Sequence, residues 1–133
     1  MKLLLDTHAL LWSMIAPDQL SATARQAIAD PDAQVAVSAI SFWEISIKTA
    51  LGKLQLDGAT PETLVETAQQ QGFDLLPLDP RLAASFSRFP VDPLHRDPFD
   101  RMLACQAIAL GYTLVSRDRK LSATPAEGLR TLW

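Results

Sequence analysis

Four acids stand at the ends or beginnings of apolar segments: Asp6 closes KLLLD, Glu44 lies in SFWEI, Asp100 in PFDRM and Asp118 in LVSRD. Carboxylates brought together beside buried elements repel one another and lose hydration. A protein keeps such a group when a hard cation neutralises it. Mg2+ or Mn2+ suits an oxygen-only set, because Mg2+ keeps several waters and takes one or two carboxylates plus substrate phosphates. Two such ions, roughly 3.5–4 Å apart, activate water and stabilise the leaving oxygen of a phosphodiester. Zinc fits less well, since a single cysteine and two isolated histidines, His8 and His95, offer no thiolate or imidazole cluster.

The elements that must position these acids alternate. Lys2 to Asp6 reads as a buried strand, followed at once by a helix over Thr7 to Ile15. Ser21 caps a second helix that runs to Asp30, and Gln34 to Ser38 is a β-branched second strand. Ser41 starts a helix through about Leu51, with Gly52 as its stop. Cap-plus-proline pairs open three more helices at Thr60-Pro61, Asp79-Pro80 and Asp97-Pro98. Phe73 to Leu76, Tyr112 to Ser116 and Leu129 to Leu132 complete the strands, and PVDPLHRDP is an irregular loop. Strands alternating with helices predict a three-layer α/β/α sandwich with a mainly parallel central sheet, one domain over residues 1–133.

In such folds ligands bind at the carboxyl ends of the strands, and a helix leading into a parallel strand starts at that same edge. Asp6 ends the first strand, and Asp118 follows the fourth by two residues. Glu44 and Asp100 fall in first helical turns at the same edge. Four carboxylates far apart in sequence are thereby assigned to one rim. Taken singly, most have a structural explanation. Ser41-x-x-Glu44 reads as a capping box, Asp100 offsets a helix dipole behind the cap Asp97, and Asp118 caps a turn. Asp6 has the weakest such excuse, that of capping the helix behind it. The joint placement favours a metal site.

Arg96, Arg101, Arg117, Arg119 and Lys120 bracket the rim. They are either a solvated surface or contacts to phosphates beside the metal. The net charge of −3 argues mildly against a partner bound by broad phosphate coating, although acids gathered around cations give the same total. Trp12, Trp43 and Cys105 read as packing residues on apolar helical faces. The start MKLLLD reaches an acid too soon for a signal peptide, and no apolar run is long enough to span a bilayer. A cytoplasmic setting without membrane contact is the expectation.

Together, LLLDTHALLW, SFWEISIKTALGKL, HRDPFDRMLACQA and LVSRDRKL, in this order over nearly the whole chain, resemble the PIN-domain family. More closely they are similar to the VapC-type toxins of bacterial toxin–antitoxin modules. The resemblance implies a PIN fold and an endoribonuclease that depends on Mg2+ or Mn2+. It also implies a cognate antitoxin that blocks the cleft, and a homodimer. It aligns Asp6, Glu44, Asp100 and Asp118 with the family's catalytic, metal-binding acids. Asp6, Glu44 and Asp100 would hold the principal ion, and Asp118 would complete the site or bind a second. Ser116 matches a supporting Thr or Ser two residues before the last acid, and Asp97 lies in the branch-specific segment.

Two other functions are open to the same residues. A haloacid-dehalogenase-like phosphohydrolase would use Asp6 as a covalent nucleophile, but it places a second Asp where this chain has His8. A non-catalytic interaction module would use the acids only as caps. Metal binding and RNA cleavage separate these readings.

Overall fold

The computed structural model describes residues 1–90, 97–118, 120 and 128–133. His95, Arg96 and Arg119 lie outside the described residues. The strands are β1 (Lys2–Leu5), β2 (Gln34–Ser38), β3 (Asp74–Leu76), β4 (Thr113–Val115) and β5 (Thr131–Leu132). They form one sheet in the order β3-β2-β1-β4-β5, with every described pairing parallel. Leu3 is opposite Val35 on one side and Thr113 on the other, so β1 is the central strand. Helices α1 (Thr7–Ile15), α2 (Ala22–Ala29), α3 (Ala39–Ala50), α4 (Pro61–Gln70), α5 (Pro80–Ser85) and α6 (Pro98–Leu110) join or flank the strands.

Because β1 is covered on both faces, its three leucines are all fully buried, as continuous apolar runs in parallel sheets are. Alternation along the strand sends them to opposite cores. Leu3 and Leu5 pack with Val35, Val37, Ile45, Leu64 and residues of α1 and α2. Leu4 packs with Ala36, Leu114 and Leu103, Ala104 and Ala107 of α6. Two cores separated by one parallel sheet make the three-layer α/β/α sandwich. Each buried leucine contributes about 1.5–3 kcal/mol. Among the described residues, no helix is long and apolar enough to cross a membrane.

The caps explain most of the helix starts. Ser21 accepts the Ala24 N–H, Thr60 and Thr63 form a reciprocal capping box, and Asp79 and Asp97 sit before a proline at the first helical position. Gly111 ends α6 in the left-handed region, at φ 76°. One predicted start is wrong. Helix α3 begins at Ala39 rather than Ser41, because Ser38, the last residue of β2, is itself the cap and accepts the Ile40 N–H at 3.0 Å. Strands β3, β4 and β5 are shorter than predicted, and the helix after Asp79 tightens into a 3-10 turn over Phe86–Arg88. A further 3-10 turn, Pro17–Gln19, was not anticipated.

Candidate active site

Strands β1 and β2 run directly into helices with no intervening loop. Asp6 caps α1 and Ser38 caps α3. These junctions and the end of β4 hold most of the buried polar groups described: Asp6, Thr7, Ser38, Ser41, Glu44 and Ser116, with Gln106 elsewhere. Polar side chains are costly to bury without partners, so such a concentration at one sheet edge makes that edge the candidate site. Its carboxyl-end location is the one the sheet topology favours for ligands.

Asp6 is 5% exposed. Its Oδ1 accepts the Ala9 N–H at 2.7 Å, and its own N–H donates to the Val115 carbonyl at 3.0 Å. Burial raises its pKa, opposed by the Ala9 N–H, a hydrogen bond with Ser116 and the nearby His8; Glu44 pushes it further up. Ser116 is thereby in contact with Asp6. The same Ser116 Oγ accepts the Asp118 N–H at 3.1 Å. Asp118 in turn accepts the Lys120 N–H at 2.9 Å, so the turn-capping role anticipated for it is present.

Glu44 is 2% exposed and lies in the second turn of α3, not the first. The capping-box explanation for this acid therefore falls away, since Ser41 is a buried helical residue and not the cap. Glu44 is instead held from two sides. Thr7 donates its hydroxyl to Oε1 at 2.6 Å, with Ser41 Oγ 3.1 Å behind Thr7, and Lys48 pairs with Oε2 at 2.5 Å. Neither Thr7 nor Lys48 was identified from sequence. Lys48 left a readable signal, four residues after a glutamate on the same helical face.

Asp100 is the third residue of α6, where the sequence placed it, and its N–H points to the cap Asp97 at 3.5 Å. Its pKa is pushed up to about 8, first by burial and then by the charges of Asp97, Asp6, Glu44 and Asp118. All the predicted acids thus share one electrostatic neighbourhood. At neutral pH the metal-free cleft relieves part of its repulsion by holding a proton on Asp100. Lys48 also offsets it: burial would lower its pKa, but the hydrogen bond and charge of Glu44, with the charges of Asp97 and Asp100, raise it overall.

The donor set fits a hard divalent cation in kind, being carboxylate oxygens backed by hydroxyls. Among the described residues, however, no three His, Cys, Asp or Glu side chains are drawn together as a closed metal cage. Asp97 serves as the α6 cap, with Oδ1 accepting the Phe99 N–H at 2.9 Å.

The rim arginines separate. Arg117 is exposed, with its guanidinium 5.9 Å from the centre of the Trp12 ring. Arg101 is turned elsewhere: it donates to the Pro90 carbonyl at 2.7 Å and lies over Phe86 and Phe89, fastening the α5–α6 corner. Trp43 departs from its expected packing role, being 62% exposed with its ring 5.3 Å from Phe99. Cys105 is buried, as expected of a small core residue.

Residues 3–127 match the family described as PIN domain. Over 130 residues the chain is 32% identical to Ribonuclease VapC22 of Mycobacterium tuberculosis, covering 98% of this chain and 97% of that protein. Its fold resembles VapBC2 from Rickettsia felis bound to a DNA fragment from their promoter, with a TM-score of 0.73, 14% identity and coverage of 99% and 98% of the two chains. It also resembles VapBC-5 from Mycobacterium tuberculosis, with a TM-score of 0.61, 17% identity and coverage of 98% and 97%. The likeness in structure carries the fold; the matched length and the sequence identity carry the kinship. A buried acidic rim on a parallel sheet is therefore found here in a chain that belongs to the PIN-domain family.

Proposed function

We propose that the chain is a metal-dependent endoribonuclease and the toxin of a toxin–antitoxin pair, acting in the cytoplasm as a homodimer that its cognate antitoxin restrains. The observation that carries the catalytic part is the gathering of buried acids at the rim, where burial first, and then the charges of Asp97, Asp6, Glu44 and Asp118, push Asp100 up to about 8. Kinship with a protein named a ribonuclease supports RNA as the substrate. Structural neighbours named as VapBC systems support the antitoxin partner.

In this reading Asp6, Glu44, Asp100 and Asp118 hold Mg2+ or Mn2+. Their oxygen-only chemistry suits an ion that keeps several of its waters. The ion, when bound, supplies a water of lowered pKa and positive charge for the phosphate oxygens. The chain's own residues prepare that site. Ser116 and the Ala9 N–H fix one carboxylate oxygen set on Asp6. Thr7 fixes Glu44 from one side, and Lys48 occupies its other oxygen until the site is loaded. Asp97 anchors the first turn of α6, from which Asp100 projects. Arg117 is placed for a phosphate contact beside the rim; Arg96 and Arg119 keep that role as a proposal, while Arg101 is assigned to the α5–α6 corner.

RNA ends mapped after brief expression of the wild type, beside Asp6→Asn and Asp100→Asn, test the proposal. New ends are expected from the wild type alone, and in purified protein cleavage should stop with EDTA and return with Mn2+. Undiminished cleavage in both variants and in EDTA would remove the metal site from the reaction. Phosphatase activity on small esters without RNA cleavage would point instead to Asp6 as a covalent nucleophile.

A further inference from the structure

Asp6 and Asp118 form part of an open cleft of about 390 Å3 whose remaining walls are His8, Trp12 and Arg117. Helix α1 starts at the rim, so residues four apart on it, His8 and Trp12, share a face. Their rings are 5.4 Å apart and tilted by 33°. The Arg117 guanidinium lies over the same indole, and Trp133 supports that indole at 5.7 Å. Trp12 packs partly on the core, whereas His8 and Arg117 are exposed. The packing expected of Trp12 is present, but its ring also faces His8, which is not isolated. Two π faces and a cation line the wall next to two site acids.

This combination has a definite chemistry. Aromatic faces bind unpaired bases with little regard to sequence, because every base offers a π surface. The volume lies at the lower end of small-ligand sites, a size that suits a single nucleotide. Next to carboxylates a phosphate is repelled, and Arg117 supplies the charge that offsets this as the strand leaves the rim. We propose that the His8–Trp12–Arg117 wall is a nucleotide subsite adjoining the scissile phosphate. There a single-stranded RNA base stacks on Trp12 and His8, and Arg117 contacts the neighbouring phosphate. This assignment rests on the nuclease reading above and names where that substrate is gripped.

The test measures binding of short single-stranded RNA oligonucleotides, intact or with one abasic ribose at successive positions, to the full-length Asp100→Asn chain. In that background Trp12→Leu is expected to weaken intact RNA roughly 10- to 100-fold, with Trp12→Phe restoring most of the loss. At one position the abasic ribose should cost the parent a similar factor and cost Trp12→Leu nothing more. Arg117→Gln should lower the slope of log affinity against log salt by about one. If Trp12→Leu does not fold, His8→Ala at an exposed position carries the same comparison, with a smaller expected loss.

Abasic losses that persist in full at every position in these variants, or no RNA binding by the parent, would overturn the subsite. The nuclease reading fails separately, if the wild-type chain with Mn2+ leaves RNA uncut. Cleavage that proceeds without any Trp12-dependent base effect would keep the nuclease and remove the subsite.

Discussion

Glu44 and Lys48, one helical turn apart on α3, form an ion pair in which the acid side chain is 3% exposed and the lysine 37%. The pairing gives the metal-free rim a resident cation. It also makes Lys48 a competitor of any ion that needs the same Glu44 oxygen. Replacing Lys48 by Met should therefore move two quantities in opposite directions. The metal-free chain should lose roughly 1–3 kcal/mol, because a buried carboxylate loses a charged partner that is itself partly solvated. The added stabilisation by Mn2+ should grow. Urea melts with and without Mn2+ read both, and equal losses in the two conditions would contradict the competition.

The proton on Asp100 sets a pH dependence. Its carboxyl has a higher pKa in the folded chain than in the unfolded one, so the folded state binds more protons between about 4 and about 8. Stability of the metal-free protein should fall as pH rises through that window, and Asp6, shifted the same way, adds to the slope. Metal binding displaces protons, so apparent Mg2+ affinity should climb with pH and level off near 8. Asp100→Asn should flatten the stability profile. Urea midpoints across this pH range, with and without Mg2+, provide the measurement.

Thr7 carries a prediction about orientation. With its hydroxyl on Glu44 at 2.6 Å and only 4% exposed, Thr7→Val keeps the shape of the side chain and deletes the donor. A loss of about 1–3 kcal/mol is expected from the unsatisfied carboxylate oxygen. Cleavage should fall by about tenfold or more, the factor that supporting hydrogen bonds to metal ligands typically control. Thr7→Ser should recover most of both. Wild-type cleavage by Thr7→Val, measured on the same RNA, would show that Glu44 is positioned without it.

Gly111 offers a contrast between stability and activity. Its φ of 76° is the left-handed stop of α6, and a Cβ there would meet nothing within 4 Å. Gly111→Ala should cost about 1–2 kcal/mol from backbone conformation alone. The substitution lies at the end of α6 remote from Asp100, so the cleavage rate at a temperature where the chain is folded should be unchanged. Thermal melting and a single-turnover cleavage assay separate the two effects.

Much of this architecture was legible in the sequence because its signals are local. Thr60-Pro61, Asp79-Pro80 and Asp97-Pro98 each open the helix they announce, since a cap and a fixed φ act within one turn. The start of α3 was misplaced because SAIS offers two serines three residues apart. The one followed by Glu44 mimics a capping box, while the true cap doubles as the last residue of β2. Asp6 and Asp118 could be assigned to one edge from topology alone. Contacts that depend on helix packing were not readable: Arg101 turns to Pro90 and the Phe86–Phe89 pair, and Trp43 faces outward. Thr7 escaped for the same reason, whereas Lys48, four residues after Glu44 on α3, did leave a local signal. Their partner Glu44 meets Thr7 only after β1 and β2 pair.

The central position of β1 has a consequence for when the site exists. Asp6 leaves β1 between β2, whose helix α3 carries Glu44, and β4, which precedes Asp118. Asp100 rides on α6, the helix that leads into β4. A chain emerging from the ribosome can pair β1 with β2 and join Asp6 to Glu44 while the other flank of β1 is still unsynthesised. Such an intermediate has half the acids and leaves the Leu4 side of the sheet uncovered by α6. The full set of four acids therefore comes together only when α6 and β4, in the last third of the chain, join the sheet.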